Sequence, residues 1–516
     1  MPGSPRAAGR TTFLLLSVVY LLSNHPWVAS EDSAEFQTMA ATGGIAHAGY
    51  PTFVLALEAI GRLPWSTFAA RANLLCSLCG ALAAGLAAWH GARLSGRTWA
   101  GVVPGLALGL SYQLWKSSTV AEIYAFTLAL AAVLFHLSWQ LAQRPTALRA
   151  LAIGVLGGLG IGAHLTVLAL APVVLVALAV SARVRRIRAA VVLALLGGFV
   201  LGLAPLGYMM SQDRPDHPMN YLAMKRLPNE PAPVPTLSER AGHVVYLLSG
   251  RQYLGTRGEV RGPRATLVRF RYAFLDFVLN DFFLFGIVLA PLGAWLLLRR
   301  RDLDALLLGT WAAFSIFLVW YAAVLPDVAA NYFIYAAWIL AVGMSLALAW
   351  LSERSRVLAA AAAICLLAAP FVRIALPRDF GTGWVALAWH RLPAEWSPFV
   401  PDPSWDAYDQ GVFAALPPRA LLLSDWTELM TFKYAKHASG LRPDVDLLLT
   451  EWPPELLRDA ARAHATGRPV FTTLPIAATM ELSGTTVREA GRWERGGLWE
   501  LQSTATDSMR VGVPAR

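Results

Sequence analysis

Long apolar runs separated by short polar segments constrain this chain more than any other feature of its sequence. A helix needs about 20 consecutive apolar residues to cross a bilayer, and shorter runs suffice where a helix is broken inside a bundle. By this criterion the sequence contains eleven candidate spans. They cover approximately residues 11–28, 67–90, 98–114, 119–141, 148–163, 165–182, 188–210, 281–298, 304–325, 331–351 and 356–375. The chain is therefore predicted to be an α-helical polytopic membrane protein.

The composition agrees with a membrane location and argues against nucleic-acid binding. Hydrophobic residues make up 56% of the 516 residues and charged residues only 15%, an apolar balance beyond that of ordinary soluble domains. The net charge is +10, but Lys and Arg occur in small clusters between the apolar runs. No continuous basic face interleaved with aromatic residues is visible. We therefore interpret the charge as a topology signal, with the lipid bilayer and not nucleic acid as the partner.

The basic clusters predict which loops face the cytoplasm, because short loops rich in Lys and Arg stay on that side. Six clusters fall at every second boundary between a predicted span and its loop if the glycine-rich stretch 148–182 is divided into two spans. They are Arg6/Arg10, Arg93/Arg97, Arg144/Arg149, Arg183/Arg185/Arg186/Arg188, Arg299/Arg300/Arg301 and Arg354/Arg356. This alternation places the N-terminus in the cytoplasm and the chain after about residue 376 outside. A single span over 148–182 would put the later clusters on the wrong side.

The first apolar run also resembles a signal peptide, with a basic segment before a short apolar core. Cleavage would fall near Ala29 and Ser30, but His25, Pro26 and Trp27 intervene after the apolar core. Further spans follow in the sequence. We therefore interpret the run as an uncleaved first span.

Three segments on the predicted outer side are too long to be turns. Residues 29–66 and 211–280 are predicted outer loops of a transmembrane domain that covers residues 1–376. Residues 377–516 are predicted to form a small extracytoplasmic α/β domain, because residues 419–424 and 444–450 have the apolar pattern of buried strands. No repeat of fixed period is visible, which counts against an inverted-repeat transporter.

Polar and ionisable residues near the spans concentrate on the outer side of this topology. Such groups are costly inside a membrane and usually functional. The candidates are Asp32, Glu35, His47 and Tyr50 in the first outer loop, Arg71, Asn73, Lys116, Glu122, Tyr124 and His164 near outer ends of spans, and Arg251 in the second outer loop. An ion path would need polar groups through the whole thickness. Their restriction to one face indicates chemistry on a lipid head group, whereas the deeper His136 is interpreted as a core histidine.

A sugar carried on a polyprenyl phosphate suits a site at this depth, because its tail would lie in the bilayer and its phosphate near the interface. Arg71, Lys116 or Arg251 would hold the phosphate. A carboxylate would remove the proton from an acceptor hydroxyl, and Asp32 is the favoured base.

The same residues also have purely structural interpretations. Asp32 and Glu35 have the spacing of a capping box at the start of a helix. The other interpretations are a surface ion pair for Lys116 and Glu122, a turn at His47, and contact with membrane phosphates for Arg251.

Several motifs resemble one family of multispanning proteins. Residues 26–36 and the run Gly44-Ile-Ala-His-Ala-Gly-Tyr-Pro51 are similar to its opening signature, Gly-Asp-Ser-Gly-Glu followed by His-Pro-Pro-Gly-Tyr-Pro. Further matches are Arg71-Ala-Asn-Leu-Leu75, Trp115-Lys-Ser-Ser-Thr-Val-Ala-Glu-Ile-Tyr124, Gly158-Leu-Gly-Ile-Gly-Ala-His164 and Ser249-Gly-Arg-Gln-Tyr253. The chain thus resembles the protein O-mannosyltransferase family typified by transmembrane protein 260, which is similar to the GT-C superfamily of lipid-donor glycosyltransferases. The resemblance is strong over residues 20–255 and thin beyond, where residues 440–445 are the best match.

The resemblance implies a GT-C-like membrane domain and an inverting glycosyltransferase. The enzyme would move a mannose-like sugar from a polyprenyl-phosphate donor to a hydroxyl of an exported protein (Ser or Thr) or a glycan. Asp32 would be the base and Glu35 its helper. Donor-phosphate or substrate binding would involve His47, Tyr50, Arg71, Asn73, Lys116, Glu122, Tyr124, His164 and Arg251. No redox cofactor is needed. Some relatives use a divalent cation, for which Asp32 and Glu35 are suitable ligands, and the sequence leaves this open.

The chain departs from the family pattern in the first outer loop. Glu31 and Ala34 replace the two glycines of the acidic motif, and the histidine motif is one residue shorter and lacks its Pro pair. These departures keep a non-catalytic envelope scaffold on the same fold open, and a transporter or lipid flippase is the other alternative. The Ala-, Arg- and Leu-rich composition favours the inner (cytoplasmic) membrane of a bacterium as the location.

Overall fold

The computed structural model describes most of the chain as α-helix, with one small sheet near the C-terminus. The described residues are 4–184, 188–227, 232–253, 264, 267, 282, 286–322, 329–375, 398–399, 402–450, 453–474 and 485–503. Much of the predicted second outer loop, the ends of two predicted spans and the predicted domain boundary at 376–377 lie outside these residues.

The helices that precede the sheet are numbered here in chain order. They are α1 (Pro5–Leu22), α2 (Glu31–Thr42), α3 (Pro51–Gly61), α4 (Phe68–Ser95), α5 (Thr98–Gly109), α6 (Tyr112–Thr119), α7 (Ile123–Gln143), α8 (Ala147–Ala163), α9 (Ala171–Val184), α10 (Ala189–Gly202), α11 (Ala204–Gln212) and α12 (Leu237–Leu248). After the gap that follows residue 253 come α13 (Gly286–Arg299), α14 (Leu303–Ala322), α15 (Ala329–Tyr332), α16 (Ile334–Arg354) and α17 (Arg356–Ala375).

Each of the eleven predicted spans overlaps a described helix. Within the described part of the chain, five helical stretches are long and apolar enough to cross a membrane. They are Phe68–Ser95, Ile123–Gln143, Leu165–Arg183, Ala189–Gln212 and Ile334–Arg354. Shorter apolar helices occupy most of the other predicted ranges. The prediction of a helical polytopic membrane protein is confirmed, while the number of spans and their sidedness stay predictions.

The glycine-rich stretch is broken where the sequence predicted a break. Helix α8 ends at Ala163, and His164 is extended with φ −164° and ψ 137°. The ring Nδ1 of His164 accepts a hydrogen bond of 3.2 Å from the backbone N of Thr166, which starts the short 3₁₀ helix Leu165–Leu170. A Cβ atom on Gly160 would lie 2.5 Å from Val167 Cγ1, so only glycine lets the chain fold back this closely.

Two short helices of the first outer loop pack on each other and on the bundle. Phe36 of α2 and Phe53 of α3 are buried and their rings meet edge to face, 5.0 Å apart. Where the helices cross, a Cβ on Gly61 would lie 1.9 Å from the Ala40 carbonyl oxygen. The Thr52 hydroxyl donates to the Leu159 carbonyl of α8 at 2.7 Å. This packing fixes the loop that carries four of the eleven candidate residues, Asp32, Glu35, His47 and Tyr50.

A five-stranded sheet forms the C-terminal α/β module. Its elements are α18 (Ser404–Ala415), β1 (Leu421–Ser424), α19 (Trp426–His437), β2 (Asp446–Leu449), α20 (Pro453–His464), β3 (Val470–Thr472), β4 (Thr485–Arg492) and β5 (Gly497–Ser503). The strand order is β2-β1-β3-β5-β4, with β1 parallel to β2 and β3, and β5 antiparallel to β3 and β4. All of β1 is buried, as expected for a strand with helices on both faces. The predicted small α/β module is confirmed.

Candidate active site

The acidic segment forms the first turn of α2. Ser30 is the N-cap and makes no side-chain capping bond, so the capping-box interpretation of Asp32 and Glu35 is wrong. Glu31 has φ +57°, a left-handed conformation that favours glycine. The family signature has glycine at this position, so Glu31 occupies a backbone conformation that glycine would adopt with less strain.

Glu35 and His47 form the buried centre of the cluster. Glu35 is fully buried, and its Oε1 accepts from the His47 backbone N at 2.9 Å. Its Oε2 lies 2.6 Å from His47 Nδ1. The other ring nitrogen, Nε2, lies 3.5 Å from Asp32 Oδ2. Because Asp32 and Glu35 are three residues apart on one helix face, the imidazole lies between two carboxylates.

The charge of His47 follows from this placement. Burial disfavours the charged imidazole, but the negative charges of Asp32 and Glu35 outweigh burial and raise the pKa of His47 to about 9. The ring is therefore protonated at neutral pH. A cation held between two carboxylates offsets one of their two negative charges.

We expect the stability of the folded protein to fall as the pH rises past neutrality. The pKa of His47 is raised from 6.5 to about 9, so its contribution is complete below pH 6.5 and is lost as the pH rises through about 9. Melting temperatures of the full chain in detergent, measured across this window, should decrease. His47→Gln, which has no titrating ring, should show a flatter profile, and equal slopes would contradict the assignment.

The second outer loop holds the backbone around His47. Ile45 N donates to the Met219 carbonyl at 2.8 Å, and Tyr221 N donates to the Ile45 carbonyl at 3.0 Å. Gln252 Nε2 donates to the His47 carbonyl at 3.2 Å. Arg251, predicted to hold the donor phosphate, is exposed, and its neighbour Gln252 makes this contact with the cluster. The sequence had singled out the motif but not this residue.

Glu122 joins the cluster from the start of α7. The Ser33 hydroxyl donates to Glu122 Oε1 at 3.1 Å. Burial and the nearby charge of Asp32 raise the pKa of Glu122 to about 7, against the opposing charge of Lys116. Lys116 on α6 is half-buried. The structure therefore places Glu122 near Asp32 and Lys116 near Glu122.

An aromatic wall continues from His47. The rings of His47 and Tyr50 are 5.6 Å apart, and Tyr50 stacks on His164 at 5.5 Å. Tyr124 lies 6.5 Å from His164, and Tyr332 lies 5.6 Å from it. Tyr50, Tyr124 and His164, which the sequence predicted, thus share one wall. Tyr332 also belongs to this wall and was not among the predicted residues.

His164 is not a source of positive charge in this wall. Burial and the charge of His47 lower the pKa of His164 to about 4. Its Nδ1 already accepts from the backbone of Thr166. The ring is therefore neutral near pH 7 and is suited to stacking, not to phosphate binding.

Arg71 and Asn73 lie in the first turns of α4 and hydrogen-bond to the segments that precede this helix. Arg71 donates to the carbonyls of Gly61 and Ser66. Asn73 Nδ2 donates to the His25 carbonyl at 3.0 Å, and its Oδ1 accepts from Gln37 Nε2. These contacts give both residues structural roles, and their donor-binding role stays a prediction.

The same side chains could hold a divalent cation. Asp32, Glu35 and His47 each offer one ligand atom, and these atoms lie within 4.8 Å of one another. Two carboxylates with an imidazole suit Zn²⁺ or Mn²⁺. A cation there would bind phosphate oxygens, and it would replace the hydrogen bond between Glu35 and His47. The structure thereby adds His47 to the two ligands named from sequence.

The N-terminal part of the chain matches a known family. Residues 32–187 match the family described as Protein O-mannosyl-transferase TMEM260 N-terminal domain. The Protein O-mannosyl-transferase TMEM260 of Mus musculus is 31% identical over 155 residues, which is 30% of this chain and 22% of the relative. The match thus spans about a fifth of that relative's length. The resemblance inferred from the motifs is confirmed for this segment.

The fold of nearly the whole chain is similar to solved structures of ArnT from Cupriavidus metallidurans. The apo structure superposes with a TM-score of 0.56 at 14% identity, covering 95% of this chain and 97% of ArnT. The structure bound to undecaprenyl phosphate gives a TM-score of 0.58 at 16% identity, with the same coverage. At this identity the likeness shows the fold, and the GT-C-like architecture is confirmed.

Proposed function

We propose, from the family match and the GT-C-like fold, that this chain is a membrane glycosyltransferase. It moves a mannose-like sugar from a polyprenyl-phosphate donor to a hydroxyl acceptor, and we take Ser or Thr of an exported protein as the first candidate. The observation that carries the proposal is the group of Asp32, Glu35 and His47 within the family-matched segment. Asp32 is 41% exposed beside a buried ion pair, as expected of a base that must reach a substrate.

The transfer requires one proton movement and one displacement. Asp32 accepts the proton of the acceptor hydroxyl, and the hydroxyl oxygen attacks the anomeric carbon of the donor. The bond between this carbon and the phosphate oxygen breaks, and polyprenyl phosphate leaves with the electron pair. Direct displacement inverts the anomeric configuration.

Two individual side chains at the site, His47 and Lys116, offer positive charge to the leaving phosphate. His47 is cationic because Asp32 and Glu35 raise its pKa. The half-buried Lys116 lies close enough for its charge to oppose the rise in the pKa of Glu122. Preorganised charges of this kind act where charge develops in the transition state. We assign His47 and Lys116 to the phosphate, with the wall of Tyr50 and His164 beside them.

The opposite end of α4 is packed, which favours a transferase over a transporter. His90 is buried, with its ring 5.1 Å from Phe135 and 5.8 Å from Trp338. Arg93 forms an ion pair with Asp304. A transporter needs a polar path that opens to both faces. The polar groups of the proposed site lie at the other end of α4, near Asn73.

The orientation follows from the basic clusters of the sequence. We place the N-terminus in the cytoplasm and both the cluster and the C-terminal module, residues 377–516, on the extracytoplasmic face. The transmembrane domain would then cover residues 1–376. A bacterial inner membrane would supply a polyprenyl-phosphate sugar on this face.

A reconstituted assay tests the proposal directly. The full chain in liposomes is given radiolabelled undecaprenyl-phosphate sugars and a Ser/Thr-rich peptide. We expect label to pass to the peptide, with release of undecaprenyl phosphate, and added undecaprenyl phosphate to inhibit competitively. Movement of the labelled lipid between leaflets without transfer to any hydroxyl would identify a flippase instead.

A further inference from the structure

Helix α19 of the C-terminal module brings an indole N–H to the proposed base. Trp426, the first residue of α19, donates from Nε1 to Asp32 Oδ1 at 3.0 Å. The two residues are 394 positions apart in sequence. The indole N–H is only a donor. It therefore stabilises Asp32 as a hydrogen-bond acceptor, which is the form that a base needs.

Contacts along α19 fix the position of this indole. Lys433, two turns after Trp426 on the same helix face, donates to the Pro218 carbonyl at 2.9 Å. The Tyr434 hydroxyl accepts from Ala69 N at 3.2 Å. At the start of α19, Asp425 caps the helix by accepting from Glu428 N at 3.2 Å. The helix is thus attached to both the second outer loop and α4.

The ring of Trp426 is also held from two sides. It lies edge to face with His47 at 5.4 Å and with Tyr221 at 5.9 Å. In the same module, Asp406 Oδ2 accepts from Val28 N at 3.0 Å, just before α2. The module therefore contacts the acidic segment at Asp32 and at the chain that leads into it.

The two carboxylate oxygens of Asp32 have different surroundings. Oδ1 is bound by Trp426, whereas Oδ2 lies 3.5 Å from His47 Nε2, too far for a strong hydrogen bond. Oδ2 keeps lone pairs for a substrate. Because the side chain is 41% exposed, it would rotate without a fixed partner on Oδ1.

We propose that Trp426 is a positioning residue that holds Asp32 in the orientation in which Oδ2 takes the acceptor's proton. The C-terminal module is then part of the active site and not only a neighbouring domain. This inference rests on the proposed function, in which Asp32 is the base. It assigns a role to a residue outside the family-matched segment.

The test replaces Trp426 with Phe, which keeps an aromatic ring and removes the N–H. The kcat of the full chain should fall about tenfold, the effect expected for one hydrogen bond to a charged group. The KM for the donor should not change, because the contact does not touch the donor. Trp405→Phe is the matched control. Trp405 packs on Tyr408 and Arg495 within the module, and its replacement should leave kcat at the wild-type value.

A second comparison separates this inference from the proposed function. If Trp426 acts only through Asp32, Trp426→Phe should change the residual rate of Asp32→Asn by less than about twofold. The positioning role would be overturned if Trp426→Phe lowered kcat equally in the wild-type and Asp32→Asn chains. It would also be overturned if Trp426→Phe raised only the KM or left kcat at the wild-type value. The loss caused by Asp32→Asn alone would still support the proposed function. Full activity of Asp32→Asn would overturn both. Equal melting temperatures of the two Trp variants would show that folding is intact.

Discussion

Asp32→Asn should lower the kcat of sugar transfer by at least about a hundredfold, the lower end of what a general base contributes. The amide cannot take the acceptor's proton at neutral pH. It keeps the shape of the side chain and an oxygen for the Trp426 indole, so the fold should be preserved. Initial rates of label transfer from undecaprenyl-phosphate sugar, with melting temperatures measured in parallel, check this expectation.

The control for this variant is an exposed acid outside the cluster. Asp216 in the second outer loop is exposed, and Asp216→Asn should transfer sugar at the wild-type rate. If wild-type and Asp32→Asn proteins were equally active, Asp32 would not be the base. If the wild-type chain were inactive with every donor, the non-catalytic scaffold would be the better interpretation.

His47→Ala should destabilise the protein by about 3 to 5 kcal/mol, the usual effect of removing one partner of a buried ion pair. Glu35 is fully buried and receives two hydrogen bonds from His47, one from the ring and one from the backbone. Without the ring, the carboxylate must either stay charged and unpaired or take up a proton. Denaturant unfolding of the full chain in detergent measures this loss.

A second substitution identifies the cause of the loss. Glu35→Gln in the His47→Ala background removes the unpaired charge and should recover part of the stability. The two substitutions should therefore be strongly non-additive, as residues in direct contact are. A double variant whose loss equals the sum of the single losses would show that Glu35 and His47 are not paired.

Most of the helices could be predicted because a helix buried in lipid requires a run of consecutive apolar residues. An apolar run must be long enough to cross the bilayer, and the backbone polar groups where a helix breaks must find hydrogen-bond partners. The positions of the spans therefore follow from the local sequence. The break at His164 was visible as a cluster of glycines before a polar residue. The strand β1 was visible because a doubly covered strand is continuously apolar.

The candidate site was predicted only in part. Asp32 and Glu35 lie on one helix turn, so their proximity follows from local spacing. The role of Arg71 at the donor phosphate stays a prediction, and the sequence did not predict its hydrogen bonds from α4 to the carbonyls of Gly61 and Ser66. A side chain long enough to reach several partners has no preferred one until neighbouring segments are placed.

By itself, the sequence determined a helical membrane protein with an acidic segment after its first apolar run, a nearby histidine and a small α/β module. Those features depend on local apolar patterns and short spacings. Only the tertiary structure decided that His47 lies between Asp32 and Glu35, and that Trp426 donates to Asp32 across 394 residues. Such contacts form because packed helices bring distant segments together. The energy of that packing is spread over many buried residues, so no single sequence motif predicts it.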